Sequence, residues 1–240
     1  MHRFSQYRLR LQLQRSISFF GWGICSGLAL PALLLVGLIV THWSAPSEHE
    51  LLREADRTAW VDENWDGAIQ QYAFLLEEYP GGATGSKAYL GIAQALEAKG
   101  LSGAEVAAAY EAAERLSVDR DDVGLWMMQA GEHWLLDGED VKAERSFERV
   151  VNAELVQSAD AQFALGRLKL SQGKVDSALT HFQTLSLVDN AEKAALGRFG
   201  ISISYERLGD LDSAIAELDL EEVSSERLER LHERRSAFGR

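Results

Sequence analysis

Cysteine is nearly absent: Cys25 is the single thiol in 240 residues. One thiol excludes an intramolecular disulfide and any zinc knuckle built on several thiolates. Proline is almost as scarce, with 3 residues against 20 glycines, and Ala, Leu and Glu dominate. That composition favours helix over sheet. Apolar residues make up 46% of the chain, enough for one or two domains with a real core.

Charge is missing altogether from Ile17 to Val40, ISFFGWGICSGLALPALLLVGLIV. As a helix rising about 1.5 Å per residue, this run spans about 36 Å, against a hydrocarbon core of about 30 Å. Acid is missing before Glu48, while Arg3, Arg8, Arg10 and Arg15 precede the run. By the positive-inside rule the N-terminus stays in the cytoplasm and the rest is exported. The expected organisation is a basic arm over 1–16, a transmembrane helix over 17–42 and a linker over 43–47, with Trp22 and Trp43 near the two membrane interfaces. A cleaved signal peptide fits less well, because its apolar core is usually about 7–15 residues and Pro46 would sit just past a cut after Ala45. A mitochondrial leader also fits less well, since YRLRLQLQ alternates with period two. The expected location is the inner (plasma) membrane of a bacterium, single-pass, with the C-terminal domain periplasmic. Gly23 and Gly27 form a G-x-x-x-G pair, a candidate for membrane-helix pairing and so for a homo-oligomer, set against the general frequency of glycine in membrane helices.

Basic residues are scarce beyond the arm. The chain carries a net charge of −13, and the arm holds four arginines and no acid, which leaves −17 on the remainder. Such a surface repels nucleic acid and anionic membranes, so the expected partners are basic or neutral proteins.

What the exported part does have is a repeat. GEDVKAERSF runs from Gly138 to Phe147, GKVDSALTHF from Gly173 to Phe182, and GDLDSAIAEL from Gly209 to Leu218. Each reads Gly, four residues, Ala, three residues, then a large apolar side chain, and the glycines are 35 and 36 residues apart. Glycine ends a first helix in the left-handed conformation, acids favour the start of the next, and the small Ala lets the two approach. Two weaker copies lie upstream. ENWDGAIQQY keeps Ala68 and Tyr72 with Glu63 in place of glycine, and GLSGAEVAAAY runs from Gly100 to Tyr110 with one residue inserted. Five copies predict ten helices.

These residues resemble the tetratricopeptide repeat family, a helix-turn-helix unit of about 34 residues. Leu165-Gly166, Gly173, Ala178 and Phe182 fall on the family spacing, as do Gly131, Trp134, Gly138, Ala143 and Phe147. Tyr205, Gly209 and Ala214 fit in the last copy, where Ser202 replaces the first-helix glycine, and Pro80 matches the closing proline. The fold class implied is all-α: a transmembrane helix followed by an α-solenoid of about five hairpins over 48–222, closed by a capping helix over 223–240 with Leu228 and Leu231 on one face. Ser47-x-x-Glu50, Ser102-x-x-Glu105 and Asp189-x-x-Glu192 read as capping boxes.

Signals for chemistry are weak. Asp62, Asn64 and Asp66 open like a calcium loop, but the twelfth position, which needs a bidentate acid, is Ala73. PGGATGSKA over 80–88 has Ser86 before Lys87 and follows a helix, so it reads as an inter-repeat loop rather than a phosphate loop. None of the six histidines has zinc spacing, and Glu132-His133 with Asp137 reads as a solvated helix face. No catalytic residue, cofactor or metal is expected. The resemblance implies a groove lined by the first helix of each repeat: Met128, Glu132 and Leu135; Phe163, Arg167 and Leu170; Phe199, Ile203 and Arg207. Such a groove would take a partner helix or extended segment, although the same residues are also candidates for the inter-helix core. The expected function is a membrane-anchored adaptor or scaffold for a cell-envelope complex, not an enzyme. The alternatives are a ligand- or metal-binding envelope protein and a self-assembling scaffold.

Overall fold

The computed structural model describes residues 46–219 and 229–234. The arm, the predicted membrane span, Gly23 and Gly27, and Leu228 lie outside the described residues. Among the described residues there is no strand, and no helix is long and apolar enough to cross a membrane.

The chain divides into two compact units, 1–100 and 101–240. The first holds α1 (Glu48–Trp60), α2 (Trp65–Glu78) and α3 (Gly85–Ala98). The second holds α4 (Ala104–Leu116), α5 (Arg120–Leu136), α6 (Asp140–Asn152), α7 (Ser158–Ser171), α8 (Val175–Ser186), α9 (Ala191–Leu208) and α10 (Leu211–Asp219), followed by a helical segment at 229–234. The boundary falls at Gly100, inside the turn of the second predicted repeat.

Within the second unit each helix packs on the next, and the first helices α7 and α9 of successive hairpins also meet. The turn residues explain why the chain reverses where it does. Gly138, Gly173 and Gly209 have φ of +76°, +74° and +84°, the left-handed region that glycine enters without a Cβ penalty. Glu63 takes the same region at φ +50°, in the place where the first copy lacks glycine.

Close approach uses the small residues. Ala68, Ala143, Ala178 and Ala214 are all fully buried. Twelve residues before each alanine lies the position that faces the second helix. Where that position is glycine, at Gly131 and Gly166, an added Cβ would overlap the rings of Phe147 and Phe182. In the last hairpin Ser202 stands there, 0% exposed, and its Oγ donates to the Ala214 carbonyl at 2.8 Å. In the first hairpin Asp56 stands there and accepts from the Tyr72 hydroxyl at 2.7 Å. Ion pairs then link neighbouring hairpins about one repeat apart: Arg149 with Glu114 at 2.8 Å, Lys193 with Asp160, and Lys99 with Asp66 at 2.6 Å. Partly exposed pairs of this kind add at most about 1 kcal/mol each.

The capping signals hold in one of three places. Ser47 accepts from the Glu50 N–H while Glu50 Oε2 accepts from the Ser47 N–H at 2.8 Å, a complete capping box. Ser102 does not cap α4: the cap is Gly103 at φ +87°, so the chain turns in a glycine-only conformation and the helix starts one residue later. Asp189 does not cap α9 either, since Asn190 accepts from the Lys193 N–H at 3.0 Å. At the far end Leu231, 2% exposed, packs with Ala214, Ile215 and Leu218, so the segment at 229–234 covers the apolar face of the last hairpin.

Candidate functional site

Several side chains in the stretches that looked like chemical motifs are committed to structure. Asn64 Oδ1 caps α2 by accepting from the Gly67 N–H at 3.1 Å, and Asp66 pairs with Lys99. In PGGATGSKA the helix α3 already begins at Gly85, so only its first half is loop. The α3 N-terminus, where an anion would sit, is taken by the chain's own Glu48, whose carboxylate accepts from both the N–H and the hydroxyl of Thr84 (2.7 Å to Oγ1). Those bonds hold the Glu48 carboxyl below its ordinary range. Tyr79 adds a second tie at this end by donating to the Pro46 carbonyl at 2.8 Å. Glu132 and His133 diverge: Glu132 is exposed, while the His133 ring is buried and stacks on Tyr110 with centroids 6.0 Å apart. Burial lowers the His181 pKa, with Lys169 adding to the shift, and its Nδ1 lies 2.8 Å from Gln162 Oε1. No group of three His, Cys, Asp or Glu is placed to hold a metal among the described residues.

The nine positions predicted to line a groove fall on α5, α7 and α9, the first helices of three successive hairpins, and the structure sorts them into three kinds. Met128 and Leu170, at 7% and 8% exposed, belong to the core clusters of the second unit. They point into the hairpin because they sit where the apolar arc of the helix turns inward. Leu135, Phe163, Phe199 and Ile203 are half-buried: each packs one side on a core cluster and leaves the other accessible. Glu132, Arg167 and Arg207 are exposed. Phe163 lies 6.0 Å from the Phe182 ring, which fixes it from below, and the Arg167 guanidinium rests 5.7 Å above its centroid. The result on α7 and α9 is an apolar shelf with cations at its edge.

The sequence reading passed over two further exposed apolar residues on α5. Leu125 and Leu136 are 47% and 70% exposed, although both sit in an apolar run. The signal was present in their spacing, eleven residues or three turns, which places them on one stripe.

Residues 163–226 match the tetratricopeptide repeat family. Two crystal structures of MamA are similar in fold. One is 20% identical, covers 72% of this chain and 88% of that chain, and has a TM-score of 0.56. The other is 19% identical, covers 76% and 96%, and has a TM-score of 0.54. The crystal structure of YrrB, described as a TPR protein with an unusual peptide-binding site, is 21% identical, covers 72% and 88%, and has a TM-score of 0.52. These likenesses show the fold, an all-α array of tetratricopeptide-type hairpins. No curated protein matches the chain.

Proposed function

We propose that this chain of tetratricopeptide-type hairpins is an interaction scaffold that binds a segment of another protein on the first-helix face of its second unit. One observation carries the reading. Successive first helices present half-buried apolar side chains, Leu135, Phe163, Phe199 and Ile203, whose outer sides the core does not use. Apolar area left accessible and bordered by charge suits an extended segment or helix with hydrophobic anchors. The fold likeness to YrrB, described as a TPR protein with an unusual peptide-binding site, supports a peptide segment as the kind of partner.

The apolar run over 17–42 completes the proposal by tethering the scaffold to a membrane, with the basic arm cytoplasmic and the hairpins on the exported side, in service of an envelope complex. The test is site-specific photo-crosslinking in intact cells. A crosslinker at Phe199 should give a discrete adduct, and one at the exposed Gln183 on the second helix α8 should not. Equal adducts from both positions would overturn the assignment of the face. Extraction of membranes at alkaline pH should leave the chain in the pellet, and its release would overturn the anchor.

A further inference from the structure

We infer that a short link and two hydrogen-bonded ties hold the loop over 79–84, between α2 and α3, against the neutral headgroups of a bilayer. The inference rests on the anchor reading and names the surface that the first unit meets.

Chain length carries the first step. The predicted span ends at His42, and the described structure begins at Pro46. Four residue steps of at most about 3.6 Å keep Pro46 within about 14 Å of the end of that span. Each headgroup layer is about 5–8 Å thick, half the difference between the whole bilayer and its hydrocarbon core. Pro46 therefore sits in that layer or just outside it.

Two ties pass this position on to the loop. Pro46 is buried, and its carbonyl accepts from the Tyr79 hydroxyl at 2.8 Å. Glu48 accepts from the Thr84 hydroxyl at 2.7 Å and from the Thr84 N–H. Gly82 makes the second tie possible, since a Cβ there would overlap the Glu48 carboxylate. Gly81 turns the chain beside it at φ +81°. The loop is thus fastened at both its ends to residues 46–48.

Charge decides what the loop can meet. Tyr79 to Ser86 carry no charge, in a chain where acids outnumber bases 37 to 24. Pro80, Gly81 and Ala83 are exposed. The acid nearest the predicted span is Glu48, and its carboxylate is turned onto Thr84. An uncharged loop can lie on zwitterionic phospholipid, whereas an anionic surface would repel the acids that flank it. The opposite end of the first hairpin has another place. Helix α1 has 13 residues and rises about 20 Å, so the turn that carries Val61, 70% exposed, stands up to about 20 Å farther out.

The test uses the full-length chain in phosphatidylcholine liposomes, with a nitroxide on some of the lipid headgroups. In a Cys25→Ser background, a fluorophore is attached through Ala83→Cys in the loop or through Val61→Cys in the α1–α2 turn. The nitroxide should remove most of the emission at the loop site and leave that at the turn site unchanged. Equal quenching at the two sites overturns the inference. So does an unquenched loop site in a chain that alkaline extraction leaves with the lipid, a result under which the anchor stands. Release of the chain at alkaline pH overturns the anchor, and the inference with it. A flexible Gly-Ser insert between Ala45 and Pro46 should lower the loop quenching at an unchanged melting temperature. The double variant Tyr79→Phe, Thr84→Val, which removes both hydroxyl ties, should lower it too. Quenching that neither change lowers overturns the link and the ties as its cause.

Discussion

The Tyr72 hydroxyl donates to Asp56 Oδ1 at 2.7 Å, across the same helix contact that Phe147 makes with Gly131 and Phe182 makes with Gly166. The two positions change together: glycine faces phenylalanine, and aspartate faces tyrosine. The Tyr72 side chain is fully buried, so its hydroxyl needs a partner. Tyr72→Phe should cost roughly 1.5–3 kcal/mol, the net worth of a hydrogen bond to a charged group. In a double-mutant cycle Asp56→Gly and Tyr72→Phe should be non-additive, and additive losses measured by denaturant unfolding would remove the coupling.

The same pair predicts an alkaline limit. Burial, and then the bond to Asp56, push the Tyr72 phenol well above its ordinary value of 10. A group whose folded pKa is raised gives its full contribution below the unfolded pKa and loses it as pH rises above that value. Stability should therefore decline above about pH 10, with a slope that flattens in Tyr72→Phe. An identical alkaline limb in the variant would show that other groups carry it.

At the acid end the sign reverses. Thr84 holds the Glu48 carboxyl below its ordinary 4.5 through its hydroxyl and then its N–H. The contribution is complete above 4.5 and is lost as pH falls through the lowered folded value. Glu48→Gln should lower stability at neutral pH and weaken the pH dependence below 4.5, read from thermal melts across the acid range. A variant that keeps the wild-type acid slope would exclude Glu48 as its source.

The hairpin turns were legible because their chemistry is local. A left-handed residue, an acid and a buried alanine follow in fixed order, and even Glu63 at φ +50° takes the conformation that the missing glycine would have supplied. Glu63→Gly should stabilise the first unit by about 0.5–1 kcal/mol, as the Cβ penalty of the left-handed region is relieved. A lower melting temperature would contradict this. What local pattern could not show was set by partners distant in sequence. Glu48 reaches Thr84, 36 residues on, and occupies the helix N-terminus within PGGATGSKA where an anion would sit. The unit boundary at Gly100 also lies inside a repeat, the weaker copy with one residue inserted in its turn.

Phe182 shows how tightly the array is packed. It is 1% exposed, and Cβ atoms built at Gly166 and Gly200 would both overlap its ring. Gly166→Ala gains about 1 kcal/mol in helix propensity. The overpacking costs about 1–3 kcal/mol, and a ring held from both sides has nowhere to move. The net effect should be destabilising by up to about 2 kcal/mol. Adding Gly200→Ala should give a non-additive loss, since both press on one ring. Neutral or stabilised variants would mean that the ring can relax.

The nine first-helix positions divide for a reason that single-helix periodicity cannot resolve. With 3.6 residues per turn, Met128 and Glu132 share one stripe, yet the stripe straddles the edge of the apolar arc. Met128 falls inside, at 7% exposed, and Glu132 falls outside. Only the angle between packed helices decides that edge. Truncating Met128 or Leu170 to Ala should cost about 2–4 kcal/mol through cavity formation. Arg167→Ala or Glu132→Ala should stay within about 0.5 kcal/mol, as exposed positions do. Denaturant unfolding of the four variants checks the division. A large loss at Arg167 would move it from the binding face into the framework, and a negligible loss at Leu170 would return that residue to the accessible shelf.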